Sequence, residues 1–213
     1  MNPFPRLIEP EWLDSLDPGE PLAVKARSDL RLINVLMGNA GWIFRQVVAK
    51  PGPARRGIVE LGAGDGRLLG RLAALGPATG CDLAPRPPDL PREIDWLEGD
   101  LFSHGESLTG GILVANLVLH HFSSEDLGRI GRIVERFDSL VFVEPHRSRR
   151  ALVLSRLLSP FVSQVTRHDM PASIHAGFVA GELAEAVGLS SSWNVTEICH
   201  WRGSLRVAAS RFS

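Results

Sequence analysis

Residues 57–73, GIVELGAGDGRLLGRLA, narrow most sharply what this chain can fold into. A short apolar run ends in three alternate glycines, Gly62, Gly64 and Gly66. A helical pattern follows at once, with Leu68, Leu69, Leu72 and Leu75 along one side. Glycines at such a turn bring backbone close to a ligand, because they carry no Cβ and tolerate positive φ. The same alternation then repeats. ATGCDLA, IDWLEGD, GILVANLVL and SLVFVEP read as further strands, the last stopped by Pro145. SSEDLGRIGRIVERF, RSRRALVLSRLLSPF and VAGELAEAVGL read as helices, the first capped by Ser123 or Ser124. Strands alternating with helices predict a doubly wound α/β fold with a mostly parallel sheet. The final β runs, around Arg202-Gly203, predict a hairpin. Between the second and third strands, PRPPDLPRE carries four prolines and predicts a stiff loop instead of a helix.

Spacing decides what the glycines can hold. A dinucleotide fingerprint needs G-x-G-x-x-G, but Arg67 stands in the third place. No G-K-[ST] follows, so the loop is not a P-loop. The pattern is E-x-G-x-G-x-G, from Glu60 to Gly66. A tight turn with no ligand would also suit it. Other residues gather at the same sheet edge, however, where open parallel sheets bind ligands. Asp82 ends the second strand, Asp100 follows the third, and Asn116 lies in the fourth. A carboxylate there can accept both hydroxyls of a ribose, or an amino group. No evident cation waits for a pyrophosphate.

VELGAGDG, CDLAP, EGDLF and ANLVLHHF, in this order and spacing, resemble the core of class I S-adenosylmethionine-dependent methyltransferases. The resemblance spans residues 57–145. It implies a Rossmann-like sheet of seven strands, the last antiparallel, and S-adenosylmethionine as cofactor. It implies that Gly62, Ala63, Gly64 and Gly66 wrap the methionine part and that Glu60 helps place its ammonium. Asp82, with Leu83 beside it, would meet the ribose. Asp100 and the Leu101 backbone would meet the adenine, and the Asn116 backbone would face the methionine end. The proline-rich loop departs from the family pattern, which has a helix there. A non-catalytic S-adenosylmethionine-binding protein is the alternative, and a NAD-dependent oxidoreductase a weaker one because of Arg67.

His120 and His121, just past the fourth strand, are candidate general bases, since imidazole titrates near neutrality. Arg167, His168 and Asp169 form a second candidate group, expected in a loop before the last helix. The RHD…S…GF…EL pattern there resembles bacterial small-molecule methyltransferases of polyketide-type pathways. The seven histidines show no metal-ligand spacing, so no metal is expected. Residues 1–56 precede the sheet pattern; within them residues 22–50 read as two helices broken at Gly38–Gly41, a packing appendage or a lid over residues 57–213. Arg31, Asn34, Met37 and Trp42 on that lid are candidate acceptor-binding residues, as are Arg167 and Asp169.

Wider features bound the partners. Lysine and arginine total 23 against 24 acids, so no overall basic field draws nucleic acid or an acidic membrane. No [DN]-P-P-[FY] follows the fourth strand, which disfavours amino-methylating enzymes of the resembled group. The expected acceptor is small and partly apolar, methylated on oxygen or an acidic carbon. No apolar run reaches the length of a membrane span, and the first residues lack a signal-peptide core. With two cysteines in no C-x-x-C pair, a reducing cytoplasm is the expected setting.

Overall fold

The computed structural model describes residues 4–105 and 107–212. Four helices come first: α1 (Trp12–Ser15), α2 (Pro21–Met37), α3 (Asn39–Val48) and α4 (Pro51–Arg55). Then follow β1 (Ile58–Leu61), α5 (Arg67–Leu72), β2 (Ala78–Asp82), β3 (Asp95–Glu98), α6 (Leu101–His104) and β4 (Ile112–Asn116). A 3-10 turn at Leu119–His121 leads into α7 (Ser124–Val134) and β5 (Ser139–Pro145). The chain ends with α8 (Arg149–Leu158), α9 (Gln164–Ala176), α10 (Glu182–Ala186), β6 (Trp193–Cys199) and β7 (Ser204–Arg211).

The sheet order is β3-β2-β1-β4-β5-β7-β6. The first five strands are parallel, and β7 runs antiparallel to both β5 and β6. The order reverses between β1 and β4, so the connections leave in opposite directions and open a crevice at the carboxyl ends. Side chains alternate across the sheet. Ile58, Ile112, Val114, Val141 and Val143 pack against Trp42, Ile43 and Val47 of α3 and Leu68 and Leu72 of α5. On the other face, Leu113, Phe142, Leu205 and Val207 meet Leu127, Ile130 and Ile133 of α7. The central strands β4 and β5 are therefore buried along almost their whole length, whereas edge strand β3 exposes Asp95 and Glu98.

The proline-rich segment does form a loop. Arg86 closes it by donating to the carbonyls of Ile94 at 2.6 Å and Pro91 at 2.7 Å. This loop seats Leu90 and Ile94 against Leu69 of α5. Ser123 is the cap of α7, accepting from the Asp126 amide at 3.1 Å. The break between α2 and α3 is Gly38, at φ +70°, the left-handed conformation glycine adopts freely.

One expectation needs correction. Residues 163–176 are not a loop but helix α9, capped by Ser163. Its buried residues Val165, Ala172, Ile174 and Ala176 outweigh Pro171, whose ring removes one backbone bond without ending the helix. The short helix α6, nucleated by Asp100 as N-cap, has no counterpart in the sequence reading. Among the described residues, no helix is long and apolar enough to cross a membrane.

Candidate active site

The β1–α5 turn explains its own glycines unevenly. Gly62, Gly64 and Gly66 all have positive φ, of 61°, 54° and 69°. A Cβ on Gly62 would stand 2.5 Å from Val118 Cγ2, and one on Gly66 would stand 2.8 Å from Leu90 Cδ1. A Cβ on Gly64 would meet no atom within 4 Å. Close protein neighbours thus account for the outer two glycines, while the middle one borders open space.

Glu60 lies directly beneath, 2% exposed, and its Oε2 has no hydrogen-bond partner. Burial, followed by repulsion from Asp65 and Asp82, pushes its pKa well above the carboxylate range. A buried carboxyl with a vacant oxygen suits a cationic partner, which would reverse that shift. Asp82 reaches over the loop. Its Oδ2 accepts from the Gly64 amide at 2.7 Å and its Oδ1 from the Ala84 amide at 2.8 Å. Each oxygen keeps a lone pair for a further donor. Asp100 is exposed and accepts from the Phe102 amide at 3.0 Å, with Leu101 buried beside it. Leu83 is 79% exposed, and Ala63 is buried. Asn116 Oδ1 is buried without a partner. These residues fit a ligand with an ammonium, hydroxyls and an amino group, and offer no cluster of cations for a diphosphate.

The other side of the crevice is built on Glu144, an acid that the sequence reading passed over. It ends β5, is fully buried, and organises the turn that follows β4. Its carboxylate accepts from the amides of Val118 at 3.1 Å, Leu119 at 2.8 Å and His120 at 3.2 Å, and bonds His120 Nδ1 at 2.7 Å. That grip holds Leu117 at φ +59°, a strained value for a non-glycine. Its place at a carboxyl strand end was the available signal, the same one that marks Asp82.

Residues 4–16 form a strap across this turn. Arg6 donates to the carbonyls of His120, Phe122 and Ala176 at 3.0, 2.9 and 2.7 Å. The amides of Trp12 and Leu13 donate to Asp169 at 2.9 and 3.1 Å, and Trp12 stacks on His168 at 3.9 Å. Glu11 Oε1 faces His120 Nε2 at 3.7 Å. Nothing in the first residues signals these partners, which lie more than a hundred positions away.

The histidines therefore differ. His120 is buried between two carboxylates. Burial alone would lower its pKa, but the bonds to Glu11 and Glu144 prevail and raise it to about 9. Two carboxylates that hold its proton this strongly make it a poor acceptor for a substrate proton. His121 keeps 37% of its side chain exposed, near Asp14 at 3.9 Å. Burial, then the charge of His120, lowers its pKa against the opposing pull of Glu11 and Asp14, which favours the neutral ring. His168 Nδ1 bonds Asp169 at 2.9 Å and serves the strap. Glu11, His120 and His121 bring three potential ligand atoms within 4.8 Å of one another, and the charged His120 itself supplies the cation there.

Arg31 on α2 approaches Asp65 of the glycine turn at 3.9 Å, which carries the helix over the crevice. Trp42 is buried in the α3 core, and Met37 lies beside Asn39. Arg167 points away, bonding the Ser159 carbonyl at 3.2 Å. Asp29 moors α2 by accepting from the Ser163 amide at 2.7 Å and Thr166 Oγ1 at 3.2 Å. A separate cleft of about 490 Å³, around Lys50, Arg56 and Asp138, lies at the opposite end of the strands.

No protein-family model matches the sequence, and neither does any curated protein. Solved structures do match. The plantazolicin methyltransferase BamL, in complex with a triazolic desmethylPZN analog and SAH, aligns at a TM-score of 0.70 with 10% identity, over 91% of this chain and 92% of that one. The plantazolicin methyltransferase BpumL, with a monoazolic analog and SAH, aligns at 0.62 with 13% identity, over 90% and 96%. Magnesium protoporphyrin IX methyltransferase ChlM from Synechocystis PCC 6803, with bound SAH, aligns at 0.59 with 15% identity, over 87% and 86%. The chain has the class I methyltransferase fold. The sequence expectation of a Rossmann-like seven-stranded sheet with an antiparallel hairpin thus holds.

Proposed function

We propose that the protein transfers the methyl group of S-adenosylmethionine to a small, partly apolar acceptor, on oxygen or an acidic carbon. The observation that carries this is the glycine turn. Its middle glycine borders open space, above a buried carboxyl with a vacant oxygen and beside Asp82. When bound, the cofactor supplies a methyl group already activated on a sulfonium.

In this reading Glu60 takes the ammonium and Asp82 the ribose hydroxyls, while Asp100 and the Leu101 amide meet the adenine. Ala63, Gly64 and the Asn116 backbone border the methionine part. Leu83, largely exposed, supplies backbone more than side chain. Residues 1–56 act as a lid: α2 and the strap exclude water and hold the acceptor in line, which supplies most of what such a transfer needs. His121 removes the acceptor proton. His120 and Glu144 keep the turn rigid, and His168 with Asp169 keeps the strap closed.

The test pairs binding with turnover. S-adenosylhomocysteine should raise the melting temperature, because it binds the folded state alone, and NADH should not. Labelled methyl should pass from S-adenosylmethionine to a small-molecule fraction. His121→Ala should abolish transfer with unchanged S-adenosylhomocysteine affinity. Stabilisation by NADH alone would refute the reading, and full transfer by His121→Ala would remove that histidine from it.

A further inference from the structure

One face of the sheet carries an unusual concentration of unsatisfied polar atoms. Among the described residues, eight buried side-chain atoms lack a hydrogen-bond partner, and five belong to Asn34, Asn39, Asn116, Ser204 and Arg206. Buried polar groups are almost always paired, by protein, water or ligand. The three asparagine oxygens accept only and suit water or another donor, whereas Ser204 Oγ and Arg206 Nε can donate to an anion. Register places three of them together. Asn116 pairs with Val143, and Val143 pairs with Arg206. Val143 faces α3, and Ser204 shares a face with Arg206 by the two-residue alternation of a strand. Asn34 and Asn39 flank Gly38, against which the guanidiniums of Arg202 and Arg206 both lie, each 3.8 Å from where its Cβ would stand.

The charge is one-sided. Arg206 is 5% exposed; its Nη2 donates to the Met37 carbonyl at 2.7 Å, but its Nε donates to nothing. Arg202 is bound to the Leu36 carbonyl at 2.9 Å. Among the described residues, Arg45, Arg202 and Arg206 form no salt bridge. Burial, then the charges of Arg45 and Arg202, lowers the Arg206 pKa, and His200 is lowered by burial and by Arg206 and Arg202. A buried arginine without a counter-ion is costly. The Met37 carbonyl it binds offsets only part of that cost.

The geometry points to an oxyanion subsite in which Arg206 Nε, backed by Arg202 and Arg45, receives a carboxylate of the acceptor molecule. Trp42, whose ring lies 5.6 Å beneath the Arg206 guanidinium, and Met37 provide its apolar wall. This rests on the carboxyl edge of β4 being the place of methyl transfer. Arg206 stands two strands from Asn116, roughly 10 Å at the usual strand spacing. The Arg206 side chain itself covers part of that backbone-to-backbone distance, and a single aromatic or enolic ring covers the remainder between its carboxylate and the atom that is methylated. The acceptor class is therefore a small planar acid. An arginine suits it because its planar fork matches the two oxygens of a carboxylate.

The test titrates benzoate and inorganic phosphate into the full chain, against sodium chloride at equal ionic strength, with and without S-adenosylhomocysteine. Benzoate should raise the melting temperature and bind by calorimetry. Arg206→Gln should weaken benzoate binding by at least about tenfold, with S-adenosylhomocysteine affinity kept. Arg45→Gln, a change at an exposed residue, should weaken it severalfold and decides the matter if Arg206→Gln fails to fold. Benzoate binding equally well to both variants overturns the subsite, as does no binding of either anion beyond chloride. Phosphate binding in place of benzoate overturns the carboxylate assignment. Benzoate binding lost in the variants while S-adenosylhomocysteine never binds would uphold the subsite and remove the methyltransferase reading.

Discussion

Replacing Gly64 with alanine separates what the turn needs for folding from what it needs for a ligand. At φ +54° an alanine adopts the left-handed conformation, which costs about 1–2 kcal/mol. No further cost arises, because the added Cβ meets nothing within 4 Å. For a domain of this size each kcal/mol lowers the melting temperature by about 2–4 °C, so the loss should be only several degrees. The same methyl would occupy the space assigned to the cofactor, and S-adenosylhomocysteine should bind at least about tenfold more weakly, roughly 1.4 kcal/mol. Gly62→Ala supplies the contrast. There the left-handed cost is joined by a clash with Val118 at 2.5 Å, and overpacking of this kind adds about 1–3 kcal/mol. Val118→Ala in that background should recover the steric part and leave the backbone part. Urea unfolding measures the stabilities and calorimetry the affinities. A Gly64→Ala protein that binds S-adenosylhomocysteine as tightly as the parent would refute the placement of the ligand on this loop.

Further consequences follow from the buried acids. Glu60 keeps its proton in the native state at pH values where the unfolded chain has lost it, so the native state is progressively penalised as pH rises above about 4.3. Glu60→Gln removes that penalty: relative to the parent, the variant should gain stability between pH 5 and 8, roughly, while binding S-adenosylhomocysteine more weakly, and a pH-independent difference would contradict this. Asp29 behaves oppositely. Burial would raise its pKa, but bonds from Lys25, Ser163 and Thr166 prevail and hold it below the ordinary value. Its contribution is present above about pH 4 and lost below it, so the deficit of Asp29→Asn in urea should shrink as pH falls towards about 3. Glu144→Ala strands the amides of the 118–120 turn and a buried imidazolium, and should cost about 3–5 kcal/mol by the same assay. A cost below about 1 kcal/mol would show that the turn relaxes without its carboxylate.

The sequence by itself determined the sheet. Strand identities, their parallel order of connection, the proline loop and the hairpin all follow from local signals, because period, glycine placement and proline act within a few residues. The glycine side of the crevice was legible for the same reason: Glu60, Gly62, Gly64, Gly66, Asp82 and Asp100 sit at strand ends that the pattern itself marks. Helix α9 was not legible, because the buried contacts that hold it together around Pro171 come from distant parts of the chain. The strap side of the crevice belongs to the tertiary structure. Glu11 meets His120, Asp29 meets Ser163, and Arg206 meets Met37 only after the strap and α2 fold back over the sheet. Even there one trace lay in the sequence, since SLRVAAS sets an arginine at an inward strand position. What no spacing could tell is that the charge has no acid opposite it, because that depends on which distant chains close around it.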